Sequence, residues 1–162
     1  MKQLAIYLFA TIIMASCNEI KQQSTEINKE KTDIMIKEEK QKIEKLLSEY
    51  KKSLNTSDAK LAQSLYTKDG IFMPTMAPSG IGSEGILKSY EFVFSQIQLN
   101  IEFFIEEIEV EGNMAFAVTS SKGTVKILAT GAEAPEENRE LFVFEKENGE
   151  WKIARYMFNK TK

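Results

Sequence analysis

Residues 138–159, NRELFVFEKENGEWKIARYMFN, constrain the fold more than any other stretch of this chain. Two apolar runs flank Asn148-Gly149. Both central residues of a type I′ turn need positive φ, which Asn and Gly tolerate, so the pair predicts a tight β-hairpin. Leu141 and Val143 alternate with Phe142 and Phe144, while Trp151, Ile153 and Met157 alternate with Ala154, Tyr156 and Phe158. A strand with one wet face shows a polar residue at every second position. These strands do not, so the hairpin is expected to be covered on both faces, by helices on one and by a second layer on the other.

Composition excludes more than it assigns. The 162 residues carry 24 acidic and 21 basic side chains, for a net charge of −3. No basic stripe is interleaved with aromatics, so nucleic acid is not an expected partner. There is no histidine and one cysteine, Cys17. An intrachain disulfide and a Cys-based zinc site are therefore excluded, and no metal or cofactor is expected.

The N-terminus reads as an address. Lys2 precedes an apolar run from residue 4 to 14, followed by Ala15-Ser16-Cys17. A basic start, a short apolar core and small residues before a break describe a secretory signal over residues 1–16. The run is shorter than the roughly 20 residues a spanning helix needs. Met14-Ala15-Ser16-Cys17 resembles the bacterial lipobox, with Met in place of the usual Leu. That resemblance implies lipidation of Cys17 and anchorage to a membrane of the bacterial cell envelope. Several acyl chains anchor stably where one is marginal. Residues 17–32 are polar and charged, cannot bury enough surface to offset their ordering entropy, and read as a flexible tether.

The domain proper is expected over residues 33–162. Asp33 is a candidate N-cap for a helix whose stripe is Ile36, Ile43, Leu46, Leu47, Tyr50 and Leu54. Ser57 is placed to cap a short second helix over 58–65, and Ser83 a third over 84–97. Between them, 71–73 reads as a short strand closed by Pro74. Ile101, Phe103 and Ile105 alternate on odd positions and Ile108 and Val110 on even ones, so a β-bulge is expected at Glu106-Glu107. A further strand begins at Met114, with a kink expected at Gly123, and 131–138 (GAEAPEEN) reads as an acidic loop.

Three helices followed by long antiparallel strands make an α+β pattern. This order resembles the cone-shaped fold of the nuclear transport factor 2-like superfamily, which includes SnoaL-like and ketosteroid isomerase-like proteins. Two stretches carry the resemblance: residues 66–90, YTKDGIFMPTMAPSGIGSEGILKSY, and 139–159, RELFVFEKENGEWKIARYMFN. The resemblance implies a curved antiparallel sheet folded around the third helix, a pocket between helices and sheet, and a homodimer formed through the outer sheet face. Fold does not settle activity, which lives in the pocket.

Phe72, Met73, Met76, Tyr90, Phe94, Tyr156 and Phe158 are the candidate pocket lining. Arg155 and Asn159, in the closing motif, are candidates to fix a polar or anionic end of a ligand. Core packing is the default role for the aromatics and Met, and pairing or capping for Arg155 and Asn159. In ketosteroid isomerase-like relatives a carboxylate base follows the strand after the Asp-Gly turn; the matching place here is Met73 or Pro74, neither of which takes a proton. No catalytic residue is therefore assigned. The remaining acid/base candidates are Glu106, Glu107 and Glu140, with Tyr50, Tyr66, Tyr90 and Tyr156 as donors. The leading expectation is an envelope protein binding a small apolar or amphipathic molecule. A cofactor-free isomerase, cyclase or hydrolase using a pocket Glu, and a dimeric protein–protein module, are the alternatives.

Overall fold

The computed structural model describes residues 4–161, with side chains described for residue 26 and for 29–161. The backbone divides into two compact units, residues 1–38 and Glu39–Lys162. The first holds the N-terminal part of a long helix, α1 (Leu4–Asn55). Asp33 therefore lies within a helix rather than capping one. The side chain of Cys17 and most side chains of the signal and tether lie outside the described residues. No helix among the described residues is long and apolar enough to cross a membrane.

The second unit begins with the last turns of α1, which bury Ile43, Leu46, Leu47, Tyr50 and Leu54. Asn55 ends the helix by exchanging two 2.9 Å hydrogen bonds with the backbone of Ile101. Asp58, one residue past the expected Ser57, caps α2 (Ala59–Ser64) by accepting from Leu61 N. Then come β1 (Tyr66–Met73), β2 (Gly80–Ile81), α3 (Gly82–Gln96), β3 (Ile97–Glu111), β4 (Met114–Ile127), β5 (Glu133–Glu147) and β6 (Glu150–Lys160). The strands form one sheet in the order β2-β1-β6-β5-β4-β3. Every pairing is antiparallel except β1 with β6.

The hairpin forms as expected, with Asn148 at φ 54° and Gly149 at φ 84°. The expected bulge also forms, between Ile105 and Glu107. A second bulge was not foreseen. The β5–β6 register slips between Val143 and Phe144, so that Phe144 pairs with Ile153 and Val143 with Arg155, leaving Ala154 as the extra residue. The slip changes the parity of β6. Trp151, Ile153 and Tyr156 all end up buried, with Phe158 beside them, although sequence alternation splits them between two faces. The outward face is correspondingly leaner: Leu141 and Met157 remain 40% and 39% exposed.

Two further expectations change. Gly123 does not interrupt β4; a Cβ there would lie 2.0 Å from Asn100 O, so the glycine lets β3 approach closely. Residues 133–138 are strand, not loop, and pair residue by residue with β4. Pro135 is tolerated because β6 does not extend beside it, so its missing N–H falls at an open edge.

Candidate functional site

The inward face of the sheet has two chemically distinct ends. At one end the aromatics fill the space themselves. Phe142 stacks on Tyr156 at 4.2 Å between centroids, and Phe72 stacks on Tyr90 at 4.7 Å. Tyr90, from α3, stands between two partners: its hydroxyl lies 2.5 Å from that of Tyr50 and 2.8 Å from that of Tyr66. Burial pushes these three phenols, and Tyr156, well above the usual 10. They stay neutral and act as hydrogen-bonding hydroxyls.

At the other end the same alternation delivers polar groups. Continuing β5 backwards from Phe144 and Phe142 by twos gives Glu140, Asn138 and Glu136. Doing the same along β4 from Ala115 and Ala117 gives Thr119 and Ser121. Thr119 pairs with Glu140, and Ser121 with Asn138. All five are buried, between 0% and 8% exposed. Thr119 Oγ1 donates to Glu140 Oε2, and Ser121 also hydrogen-bonds that carboxyl. Asn138 Nδ2 donates to Glu136 Oε1 at 3.1 Å and to Ser121 Oγ at 3.3 Å. Lys160 Nζ lies 2.8 Å from Glu136 Oε2, an ion pair at the rim without hydrogen-bond alignment.

Two features of this row are unusual for a protein interior. First, Asn138 Oδ1 has no partner. The amide orientation is fixed chemically, because the side facing Glu136 must be the donor. Second, Glu140 has hydroxyl partners but no basic one among the described residues. Burial raises its pKa from 4.5 to about 7; the Ser121 and Thr119 hydrogen bonds oppose the rise and the nearby Glu106 carboxylate adds to it. Beside the row, Phe103 pairs with Ser121 and Phe158 with Glu140; both pack against the core yet stay only half-buried. They leave an apolar rim that water still reaches.

The expected pocket residues separate into two groups. Phe72, Tyr90 and Tyr156 come together with Phe94 and Phe158 beside them, but as one packed stack. Met73 pairs with Met157 and faces opposite to Phe72. Met76 is fully exposed in the loop after β1. Arg155 and Asn159 alternate with the inward Tyr156 and Phe158 and so face outward; Arg155 Nη1 is held by Ala154 O at 2.6 Å and Asp69 O at 3.4 Å. Of the three candidate carboxylates, Glu106 and Glu107 are exposed at the bulge and Glu140 is buried. Thr119, Ser121, Glu136, Asn138 and Lys160 were not singled out from sequence. The signal that finds Glu136 and Asn138 is period-two alternation carried through 133–144 without stopping at the Pro and Glu; the same alternation along β4 finds Thr119 and Ser121, and along β6 from Phe158 it finds Lys160. Surface hollows lie elsewhere, one of about 520 Å³ running over Glu109, Val110, Met114 and Phe116.

Residues 43–158 match the SnoaL-like domain family. No curated protein matches the chain in sequence. Among solved structures the chain is similar to a ketosteroid isomerase-like protein from Erwinia carotovora atroseptica SCRI1043, at 29% identity and TM-score 0.71, over 74% of this chain and 94% of that one. It is also similar to a nuclear transport factor 2-like superfamily protein from Salmonella enterica serovar Typhimurium (21% identity, TM-score 0.67, 76% and 91% covered). A third is a type 2 hexachlorocyclohexane dehydrochlorinase (12% identity, TM-score 0.66, 76% and 86% covered). At the last two identities the likeness is one of fold, which is nuclear transport factor 2-like.

Proposed function

The chain belongs to the SnoaL-like domain family, and from that premise we propose that it binds a small amphipathic molecule at the polar end of the inward sheet face. The observation that carries this reading is the row Glu136, Asn138 and Glu140, buried beside half-exposed aromatics with one side-chain oxygen unpartnered. Buried polar atoms are almost always satisfied, and an orphan beside an apolar rim fits a site completed by a ligand. The apolar part of the ligand would rest on Phe103 and Phe158, and its polar part on the row. The N-terminal sequence supports delivery to the bacterial envelope with Cys17 as the lipid attachment point. Native mass spectrometry of protein purified from its host is the test. A co-purifying small molecule that is lost from an Asn138→Leu variant is expected. Ligand-free protein, with no thermal stabilisation by any member of a small-molecule library, would remove the reading.

One observation favours a second reading, catalysis. Glu140 is a buried carboxyl with a pKa of about 7, suited to both taking and returning a proton near neutral pH. The isomerase-like and dehydrochlorinase names of similar structures accord with proton abstraction from carbon. In such a step ionised Glu140 would accept the proton, with Thr119 and Ser121 holding the carboxyl in place. A turnover screen with carbonyl-activated substrates decides it. A rate that follows ionisation near pH 7 and vanishes in Glu140→Gln is expected, and a rate unchanged in that variant would exclude it.

A further inference from the structure

We infer that the polar end of the inward face selects an organic cation: a protonated amine carried on an apolar body. The inference rests on the binding role proposed above and names the chemistry of its ligand. It follows from counting donors against acceptors. The inward side chains offer the oxygens of Glu136, Glu140 and Asn138 as acceptors. Their donors are the hydroxyls of Thr119 and Ser121, the amide of Asn138 and the ammonium of Lys160. Lys160 is taken by Glu136, and the charge acting on Glu140 is a second carboxylate, Glu106. The field reaches inward as well: Glu140 and Glu136 both act on the Tyr156 phenol to disfavour its ionisation.

Such a site repels anions. The two groups expected to fix an anion, Arg155 and Asn159, lie on the opposite face. A neutral hydroxyl would satisfy Asn138 Oδ1 but leave ionised Glu140 without a counter-charge. An ammonium satisfies both, since it brings several N–H donors and a positive charge to one point. The protein already shows this chemistry once, in the Lys160 ammonium held by Glu136 on a four-carbon stem. The aromatic rim suits the rest of the ligand, because ring faces attract organic cations and bury their apolar stems.

The test is a matched series on the full chain, read by calorimetry and by thermal shift: 2-naphthylmethylamine, 2-naphthylmethanol and 2-naphthoate. The amine is expected to bind about tenfold or more tightly than the alcohol, and the carboxylate not at all. Glu140→Gln is expected to cancel the preference for amine over alcohol while the alcohol still binds. Asn138→Leu, the second variant, should weaken amine and alcohol alike, and circular dichroism checks that both variants fold. Alcohol or carboxylate binding as tightly as the amine overturns the cation inference and leaves the binding reading standing. Calcium or magnesium stabilising the protein where the amine does not overturns it equally. No binding by any of the three overturns this inference, and the binding reading then stands or falls on the native mass spectrum and library screen described above.

Discussion

Replacing Glu140 by Gln gives the sharpest check on the site, because it removes a charge and little else. Burial raises the Glu140 pKa from its ordinary 4.5 to about 7. An acid whose folded pKa exceeds its unfolded value holds more protons when folded. Stability from this group is therefore full below about 4.5 and falls as pH rises through about 7. At about 1.4 kcal/mol for each pH unit, the loss comes to about 3 kcal/mol once the carboxyl is ionised. Gln cannot ionise, and its carbonyl keeps one acceptor for Thr119 or Ser121. Its NH2 group gives back roughly 1 kcal/mol in imperfect hydrogen bonding. Near pH 8.5 the variant should be more stable by about 2 kcal/mol, a rise in Tm of roughly 4–8 °C for a domain of this size. Near pH 4.5 it should equal or fall slightly below the wild type. The assay is urea unfolding followed by Trp151 fluorescence, the only tryptophan in the chain, across that pH range. Parallel stability–pH curves for the two proteins would refute the claim that Glu140 is buried without a counter-charge.

Glu39 carries the opposite sign. Lys146 and then Lys42 hold its carboxyl down at about 2, so its contribution is present above pH 4.5 and lost as pH falls toward 2. Glu39→Gln should flatten the acid limb of the unfolding curve, and an unchanged limb would show that the Lys146 contact is not formed in solution. Gly123→Ala should destabilise the domain by about 1–3 kcal/mol, because the new Cβ meets the Asn100 carbonyl rather than a movable side chain; chemical denaturation measures it. Lys at Leu141 and Met157 together should leave the fold intact and shift any dimer to monomer in sedimentation, since both side chains are on the half-exposed outer face. Cys17→Ala should release the protein from membranes and abolish fatty-acid labelling, and undiminished membrane association would remove the anchor.

The hairpin and the Glu106-Glu107 bulge were legible because each rests on local rules, turn dihedrals and alternation; the expected caps were not, since Asp33 and Ser83 lie inside helices and Asp58 rather than Ser57 caps α2. What was not legible depends on neighbours. GAEAPEEN has the composition of a loop, and nothing within it says otherwise. Its last six residues become strand because β4 supplies an uninterrupted partner from Met114 to Lys126. Tertiary pairing overrides propensity there. Arg155 and Asn159 belong to the closing motif but not to the inward face, from which the parity of Tyr156 and Phe158 already excludes them. The Ala154 bulge left no trace in the sequence, since Ile153 and Ala154 are both apolar and either could face inward. It explains why the sequence overstates the apolar content of the outer face.

The two ends of β5 make the functional argument. Phe142 and Phe144 are fully buried and fill their end of the face; Glu136, Asn138 and Glu140 occupy the other at a cost in desolvation and in an unpaired oxygen. Nothing in the backbone demands those polar residues. The register that buries Phe142 would bury Leu or Val equally well two and four residues earlier, and Thr119 and Ser121 opposite could be apolar too. A domain selected for stability alone would carry the core through to the rim. Departures from local packing rules gather where a protein does its work. Here the departure is acidic, acceptor-rich and lodged beside half-exposed aromatics. Asn138→Leu and Glu140→Leu, combined with Thr119→Val and Ser121→Ala so that no buried hydroxyl is left unpaired, should therefore yield a more stable protein that has lost its ligand. A destabilised quadruple variant would instead show that the polar row holds the sheet together.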